Sequence, residues 1–228
     1  MPLAAATQTG STTLTILGWI GLALAFASAL VICWDIFARG HRQPMGIMDA
    51  VYPITALYFG PLAVWAYFRY GSSTEDRWAI SRGTSHCGAG CTLGDIVGEW
   101  IVYLTAWTIP IFAGEAANSL TAMYVADFAL AWTFGIGFQY FSIVPMRDDV
   151  SGWRGVWLAI KADTLSIIAF QLGLFGFMAL YHLVLWQPPL TVASPGYWLM
   201  MQIGMIVGFA TAWPMNAWLI RRRWKEKM

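Results

Sequence analysis

The chain has 228 residues, of which 58% are hydrophobic and only 11% are charged. Soluble domains carry about 25% charged residues, and a water-soluble fold of this size could not cover so much apolar surface. The composition therefore excludes an ordinary soluble domain and predicts an integral membrane protein whose main partner is the lipid bilayer. A net charge of +1 creates no strongly basic field, so we expect no nucleic-acid partner.

Six apolar runs are long enough to cross a hydrocarbon core of ~30 Å, which takes roughly 20 helical residues. They cover residues 14–37, 47–70, 96–113, 120–144, 156–186 and 197–220. A transmembrane barrel would instead show alternating segments of ~10 residues. The pattern predicts an all-α, polytopic integral membrane protein with about six transmembrane helices in a single membrane domain, residues 1–228.

The distribution of Lys and Arg predicts the orientation of these helices, because cytoplasmic loops are enriched in both residues. With six spans, most basic residues fall on one side together with both termini. We therefore expect a multi-pass membrane protein with both termini in the cytoplasm. Arg39 and Arg42 would then lie on the opposite side, as an exception to the rule.

Two short similarities suggest an internal repeat. The sequence ALYFG at 56–60 resembles AFQLG at 169–173, and Thr-Ala-Trp occurs at both 105–107 and 211–213. Two units of three helices with opposite orientations form a 3+3 inverted repeat, the plan of many transporters. Chance similarity between apolar helices is the alternative interpretation.

The longest predicted loop, residues 71–95, carries the most specific motif of the chain. His86, Cys87 and Cys91 fall within six residues, and glycines separate them. Glycine lets the backbone bend so that all three side chains could converge. Thiolate and imidazole are ligands that suit copper(I), zinc and iron. The loop therefore predicts a metal site, with copper as the first candidate and zinc or iron as alternatives.

The third predicted helix should begin immediately after this motif. Thr92 is a good N-cap residue, and Asp95 follows it by three residues, as in a capping box. Glu99 lies four residues after Asp95 and could supply a further metal ligand or an outer contact. Cys87 and Cys91 could alternatively form a local disulfide, act as redox-active thiols, or have no special role.

Other candidate residues are less specific. Met45 and Met48 are three apart and could bind copper(I) through sulfur, although such pairs more often pack. The predicted topology places them across the membrane from Cys87. Asp127, Lys161 and Asp163 are charged residues inside predicted spans, where charge is costly and often functional. Asp127 could pair with Lys161, whereas Lys161 and Asp163 are two apart and should point to different faces.

The segment HCGAGCTLGD at 86–95 resembles the signature of a bacterial and archaeal membrane family of unknown function. The segments MGIM at 45–48 and KADT at 161–164 are also similar to that family, and the resemblance covers most of the chain after Trp34. Members are often labelled copper-related. The resemblance implies a location in the bacterial or archaeal cytoplasmic membrane and a role for the motif, but it supplies no defined activity.

Three functions follow as hypotheses. The first is a metal-binding membrane protein for copper(I) or another soft ion, with the intramembrane charges lining a transport route. The second is a membrane thiol or metal oxidoreductase that uses Cys87 and Cys91. The third is a structural subunit of a larger membrane complex, and a homo-oligomer is also compatible with the sequence.

Overall fold

The computed structural model describes residues 2–71, 78–111, 115–146, 151–185 and 190–225. Its helices are α1 (Pro2–Cys33), α2 (Met48–Phe59), α3 (Pro61–Tyr70), α4 (Ala79–Thr105), α5 (Glu115–Ile143), α6 (Gly152–Leu180) and α7 (Pro195–Arg221). π-Helical turns over Trp34–Ala38 and Tyr181–Leu185 extend α1 and α6. The described residues contain no strand, so the predicted all-α class is confirmed for them.

Four helices are long and apolar enough to cross a membrane: Thr12–Ala38, Asn118–Ile143, Gly152–Leu185 and Pro195–Arg221. They correspond to the first, fourth, fifth and sixth apolar runs of the sequence. Large apolar side chains cover their outer surfaces, as at Trp19 and Leu30, which are 63% and 68% exposed. An apolar exterior of this kind fits a lipid environment and conflicts with water.

The second apolar run forms a helical hairpin, and its prediction as one span is wrong. Gly60 has φ +54°, and Pro61 begins a new helix there. The rings of Tyr52 and Tyr67 lie 5.3 Å apart, and the Tyr52 hydroxyl donates to the Gly71 carbonyl at 3.1 Å. In one straight helix, residues 15 apart would be separated by roughly 22 Å along the axis. The chain therefore reverses at Gly60, and α3 returns beside α2.

Two buried carboxylates hold this hairpin and the preceding connection in place. Asp35 accepts a hydrogen bond from the Tyr67 hydroxyl at 3.0 Å and pairs with Arg39 at 3.0 Å. Asp49 pairs with Arg42 at 2.9 Å. Both carboxylates are thus neutralised by arginine, and their role is structural.

The hairpin changes the end of the bundle at which each later helix begins. We call the end where α1 stops and α4 starts the basic end. All described Lys and Arg residues lie there: Arg39, Arg42, Arg69, Arg82, Arg154, Lys161, Arg221, Arg222, Arg223 and Lys225. The exception expected for Arg39 and Arg42 therefore disappears, because α2 and α3 do not cross the bundle.

The two ends of the described chain lie at opposite ends of the bundle. In the first half of α1, Leu14 packs against Gly196 at the start of α7. At the basic end, the Lys225 ammonium donates to the Gly83 carbonyl near the start of α4. An even number of passes would bring both ends together, whereas five described helices run between the two ends of the bundle: α1, α4, α5, α6 and α7. The structure therefore does not support the expected placement of both termini on one side.

The expected 3+3 repeat does not match the helix arrangement. The first ALYFG segment ends α2 at the Gly60 turn, whereas residues 169–173 lie within continuous α6. Thr105 is the last residue of α4, whereas Thr211 lies in the interior of α7. The similar segments thus occupy non-equivalent positions.

Candidate functional site

The segment predicted as a metal-binding loop belongs largely to the central helix α4. This helix begins at Ala79 and ends at Thr105, so the predicted loop 71–95 and span 96–113 are both displaced. The Thr92 hydroxyl donates to the Gly88 carbonyl at 2.7 Å inside the helix, which excludes the predicted N-cap role. α4 packs against α2, α5, α6 and α7, and most of its side chains before Asp95 are buried.

Glycines that suggested a bend instead let α4 approach α5. Gly90, Gly94 and Gly98 repeat every four residues and face the α5 backbone. A methyl group at Gly94 would lie 2.2 Å from the backbone nitrogen of Ala131, and one at Gly90 would lie 2.6 Å from a Gly135 Cα. Small residues at this spacing are typical of close helix packing in membranes.

A second repeat of four residues places the reactive side chains of α4 on one face. Cys87, Cys91, Asp95 and Glu99 are each at most 2% exposed. At 1.5 Å per residue, they span about 18 Å along the helix axis. We call these four residues the polar face of α4. It runs from the middle of the bundle towards the end opposite the basic end.

Three buried carboxyl groups cluster where this face ends. Asp95 accepts a hydrogen bond from the Gln171 side chain of α6 at 2.8 Å. Glu99 lies within hydrogen-bonding reach of Asp127 from α5 and of Tyr197 from α7. Asp95, Glu99 and Asp127 form what we call the acidic cluster. One oxygen of each carboxyl group is buried without a hydrogen-bond partner.

The acidic cluster differs from the other buried carboxylates in its lack of a basic partner. Asp35, Asp49 and Asp163 each pair with a described Arg or Lys. Among the described residues, none of the three cluster members has such an ion pair. Neighbouring carboxyl groups in a dry interior cannot all be ionised without a compensating positive charge. The cluster therefore needs bound protons or a bound cation.

Cys87 and Cys91 are free, fully buried thiols one helical turn apart. Residues at this spacing have Cβ atoms about 5–6 Å apart, which exceeds the ~4.5 Å that a disulfide permits. A local disulfide would therefore require α4 to unwind. The thiols are hydrogen-bonding neighbours and together could hold one soft metal ion.

His86 points away from the two thiols. Its Nε2 atom lies 2.7 Å from the Ser142 hydroxyl of α5, and its ring packs edge-on against Phe138. Consecutive residues of a helix diverge by about 100°, which separates His86 from Cys87. Among the described residues, no group of three or more His, Cys, Asp and Glu side chains is arranged to hold a metal ion. Glu99 lies three turns from Cys87 and joins the acidic cluster.

The methionine pair lies nearer the thiol helix than predicted. Met48 is buried against Val51 and Ala89, two residues after Cys87, and Met45 packs on the same cluster. The expected separation across the membrane is wrong because α2 only enters the bundle and returns. In this arrangement both methionines contribute packing.

The intramembrane charges have partners different from those expected. Asp127 joins the acidic cluster, and it does not pair with Lys161. The Lys161 ammonium is exposed and lies 5.2 Å from the centre of the Trp224 ring. Asp163 is buried and pairs with Lys225 at 2.5 Å. The expectation that Lys161 and Asp163 point to different faces is confirmed.

Four members of the site were missed as site residues: Asp95, Gln171, Tyr197 and Lys225. Asp95 carried a usable signal, because Cys87, Cys91, Asp95 and Glu99 repeat every four residues along the sequence. Gln171, Tyr197 and Lys225 reach the site from other helices. Their positions depend on tertiary packing, which has no local sequence signal.

Comparison with known proteins adds a family without a known role. Searches of curated proteins and of solved structures each returned no significant match. A family model described as a domain of unknown function matches residues 77–225, which contain α4–α7, the polar face of α4, the acidic cluster and Lys225. The match covers about two thirds of the chain, and the protein belongs to this family, DUF4396.

Proposed function

We propose that this protein transports a cation across the membrane along the polar face of α4, with copper(I) as its cargo. The observation that carries the proposal is one line of buried groups on a central helix. Carboxyl groups lie towards one end of α4 and thiols lie near its middle. Ionisable groups inside a membrane protein commonly mark ion pathways.

The acidic cluster supplies the entry site in this proposal. Its three carboxyl groups concentrate negative charge inside an apolar bundle, and unpartnered oxygens remain available there. This charge would attract a passing cation and stabilise it, although the three groups are not arranged to coordinate one metal ion together. Tyr197 and Gln171 could orient the carboxyl groups, because both lie beside them.

The thiol pair determines the choice of cargo. Soft thiolate ligands select copper(I) over the hard cations that carboxylates prefer. Cys87 and Cys91 would hold the ion and exchange their protons for it. One turn separates Cys91 from Asp95, so the ion could pass between the two kinds of site in a short step.

Proton translocation is a second candidate, supported by a different contact. The Glu99 and Asp127 carboxyl groups lie within hydrogen-bonding reach of each other. Two such groups share a proton readily, as carboxyl pairs in other proteins do. Protons could therefore move through the acidic cluster alone or accompany the metal ion.

Purified protein in liposomes would test both candidates. Copper(I) uptake is measured by mass spectrometry of washed vesicles, and proton movement by a trapped pH-sensitive dye. We expect Glu99→Gln to reduce both to the level of empty vesicles. The double variant Cys87→Ser and Cys91→Ser should lose copper uptake and bound copper while retaining proton movement.

The matched control is Asp49→Asn, which removes a carboxylate that pairs with Arg42 outside the polar face of α4. Per folded molecule in the liposomes, it should keep the activity of the unmodified protein. If unmodified protein moves neither ion faster than empty vesicles, the transport proposal is wrong. If the double cysteine variant takes up copper normally, the assignment of the thiols is wrong.

We also propose that the basic end faces the cytoplasm, because Lys and Arg accumulate there. In a cysteine-free background, Thr108→Cys should react with a membrane-impermeant maleimide in intact cells. Gly46→Cys should react only after the cells are permeabilised. Both positions are exposed. Labelling of Gly46→Cys in intact cells would contradict this orientation, and a six-span topology predicts that result.

A further inference from the structure

The chain turns back into the bundle after α7 and buries a lysine at the basic end. Arg223 adopts a left-handed backbone conformation with φ +58°. The backbone nitrogen of Trp224 donates to the Leu219 carbonyl at 3.0 Å, which closes the turn. The next residue, Lys225, is only 2% exposed. A single turn thus carries an ammonium group from the tail into the protein interior.

Oxygen atoms from two helices, α4 and α6, contact this ammonium group. The Lys225 Nζ atom lies 2.5 Å from Asp163 Oδ1 and 3.2 Å from the Gly83 carbonyl oxygen. Asn216 donates its amide hydrogens to Ser166 and Ala212, so its carbonyl oxygen stays free. Both Asp163 Oδ2 and Asn216 Oδ1 are buried without a hydrogen-bond partner.

This cluster contains more buried oxygen atoms than the Lys225 ammonium group contacts. A methyl group at Gly83 would lie 3.6 Å from Lys225 Cε and 3.7 Å from Asn216 Oδ1, so Gly83 adjoins both side chains. A purely structural ion pair would leave no need for further buried, unsatisfied oxygens. Carboxylate and carbonyl oxygens are the ligands that hard cations prefer.

The cluster also lies about one helical turn beyond the polar face of α4, on its basic-end side. Gly83 is four residues before Cys87, so its position continues the series of Cys87, Cys91, Asp95 and Glu99 towards the basic end. Lys225 therefore places a fixed positive charge at the last position of the proposed route.

We infer that Asp163, Asn216 and the Gly83 carbonyl form a site for a small monovalent cation, Na⁺ or K⁺, which Lys225 occupies as a tethered substitute. The lysine ammonium is a compact point charge on a flexible chain, and such a group can stand in for a free ion. Withdrawal of the tail would open the site. The role of Lys225 as a gate on ion movement rests on the proposed function, whereas the binding of Na⁺ or K⁺ at this site does not.

Thermal unfolding of purified protein in detergent would test cation binding directly. NaCl or KCl is varied, and choline chloride keeps the ionic strength constant. A cation that binds only the folded protein raises the melting temperature as its concentration rises. We expect such a rise for Lys225→Met and none for the unmodified protein, whose site is filled.

Two variants make the result specific. Adding Asp163→Asn to Lys225→Met should abolish the dependence on Na⁺ or K⁺, because the charged ligand is lost. Arg221→Met removes an exposed basic residue of the same segment and should behave like the unmodified protein. If Lys225→Met folds poorly, Lys225→Leu serves instead, since it also removes the ammonium group and adds no hydrogen-bond donor.

Equal melting temperatures at all Na⁺ and K⁺ concentrations, in Lys225→Met or its leucine substitute, would overturn the site. An equal salt response in the Asp163→Asn double variant would also overturn it. In liposomes, Lys225→Met should move ions several-fold faster than unmodified protein. A salt-dependent melting temperature with no ion movement in any variant would refute transport and leave the cation site established.

Discussion

Replacing Gly94 with alanine is expected to lower the free energy of unfolding by about 3 kcal/mol, near the top of the usual range for overpacked interiors. The added methyl group would lie 2.2 Å from the Ala131 nitrogen and 2.4 Å from its Cα atom. Backbone atoms cannot rotate aside as side chains can. α4 and α5 must therefore separate, which also weakens the contacts at Gly90 and Gly98. Equilibrium unfolding in detergent, followed by tryptophan fluorescence, measures the loss.

Gly137→Ala is the matched control, because Gly137 belongs to α5 but has open space where a methyl group would lie. Alanine favours helix over glycine by up to about 1 kcal/mol. This variant should therefore be unchanged or slightly more stable. Equal stability of Gly94→Ala and Gly137→Ala would show that the close approach of α4 and α5 is not required.

Lys225→Met is expected to lower the free energy of unfolding by about 3–5 kcal/mol, the usual result of removing one member of a buried ion pair. Both charged side chains are fully buried, so the remaining Asp163 carboxylate would lack a counter-charge. The double variant Lys225→Met and Asp163→Asn should be more stable than Lys225→Met, because no unpaired charge remains. Unfolding of the two single variants and the double variant completes the cycle.

Additive losses in this cycle would contradict the buried ion pair, since independent residues add without an interaction energy. Arg221→Met, which alters an exposed residue at the end of α7, should change stability by less than about 0.5 kcal/mol.

Much of the helical architecture could be predicted because apolar runs have a direct physical meaning in lipid. The runs at 14–37, 120–144, 156–186 and 197–220 correspond to the four helices that are apolar enough to cross a membrane. The run at 47–70 has a suitable length too, but length does not determine direction. Gly60 and Pro61 lie at the reversal. Their presence does not by itself predict a reversal, because transmembrane helices also tolerate glycine and proline within a span.

The candidate site was predicted less well because its local sequence is compatible with two different structures. Glycines between His86 and Asp95 favour a flexible loop when read locally, whereas in α4 they allow contact with α5. The low hydropathy of the first half of α4 also gave no indication of a central helix. A helix that packs among other helices need not be apolar on every side. The pairing of Asp163 with Lys225 joins residues 62 positions apart and depends entirely on the fold.

The reversal at Gly60 has a consequence for how the chain enters a membrane during synthesis. With the basic end kept in the cytoplasm, the connections that follow α4 and α6 are the ones between helices that must be moved across. These are residues 106–114 and 186–194, and neither segment contains a single Asp, Glu, Lys or Arg. Because the hairpin of α2 and α3 returns to the side where it entered, Arg39 and Arg42 do not have to cross the lipid during insertion.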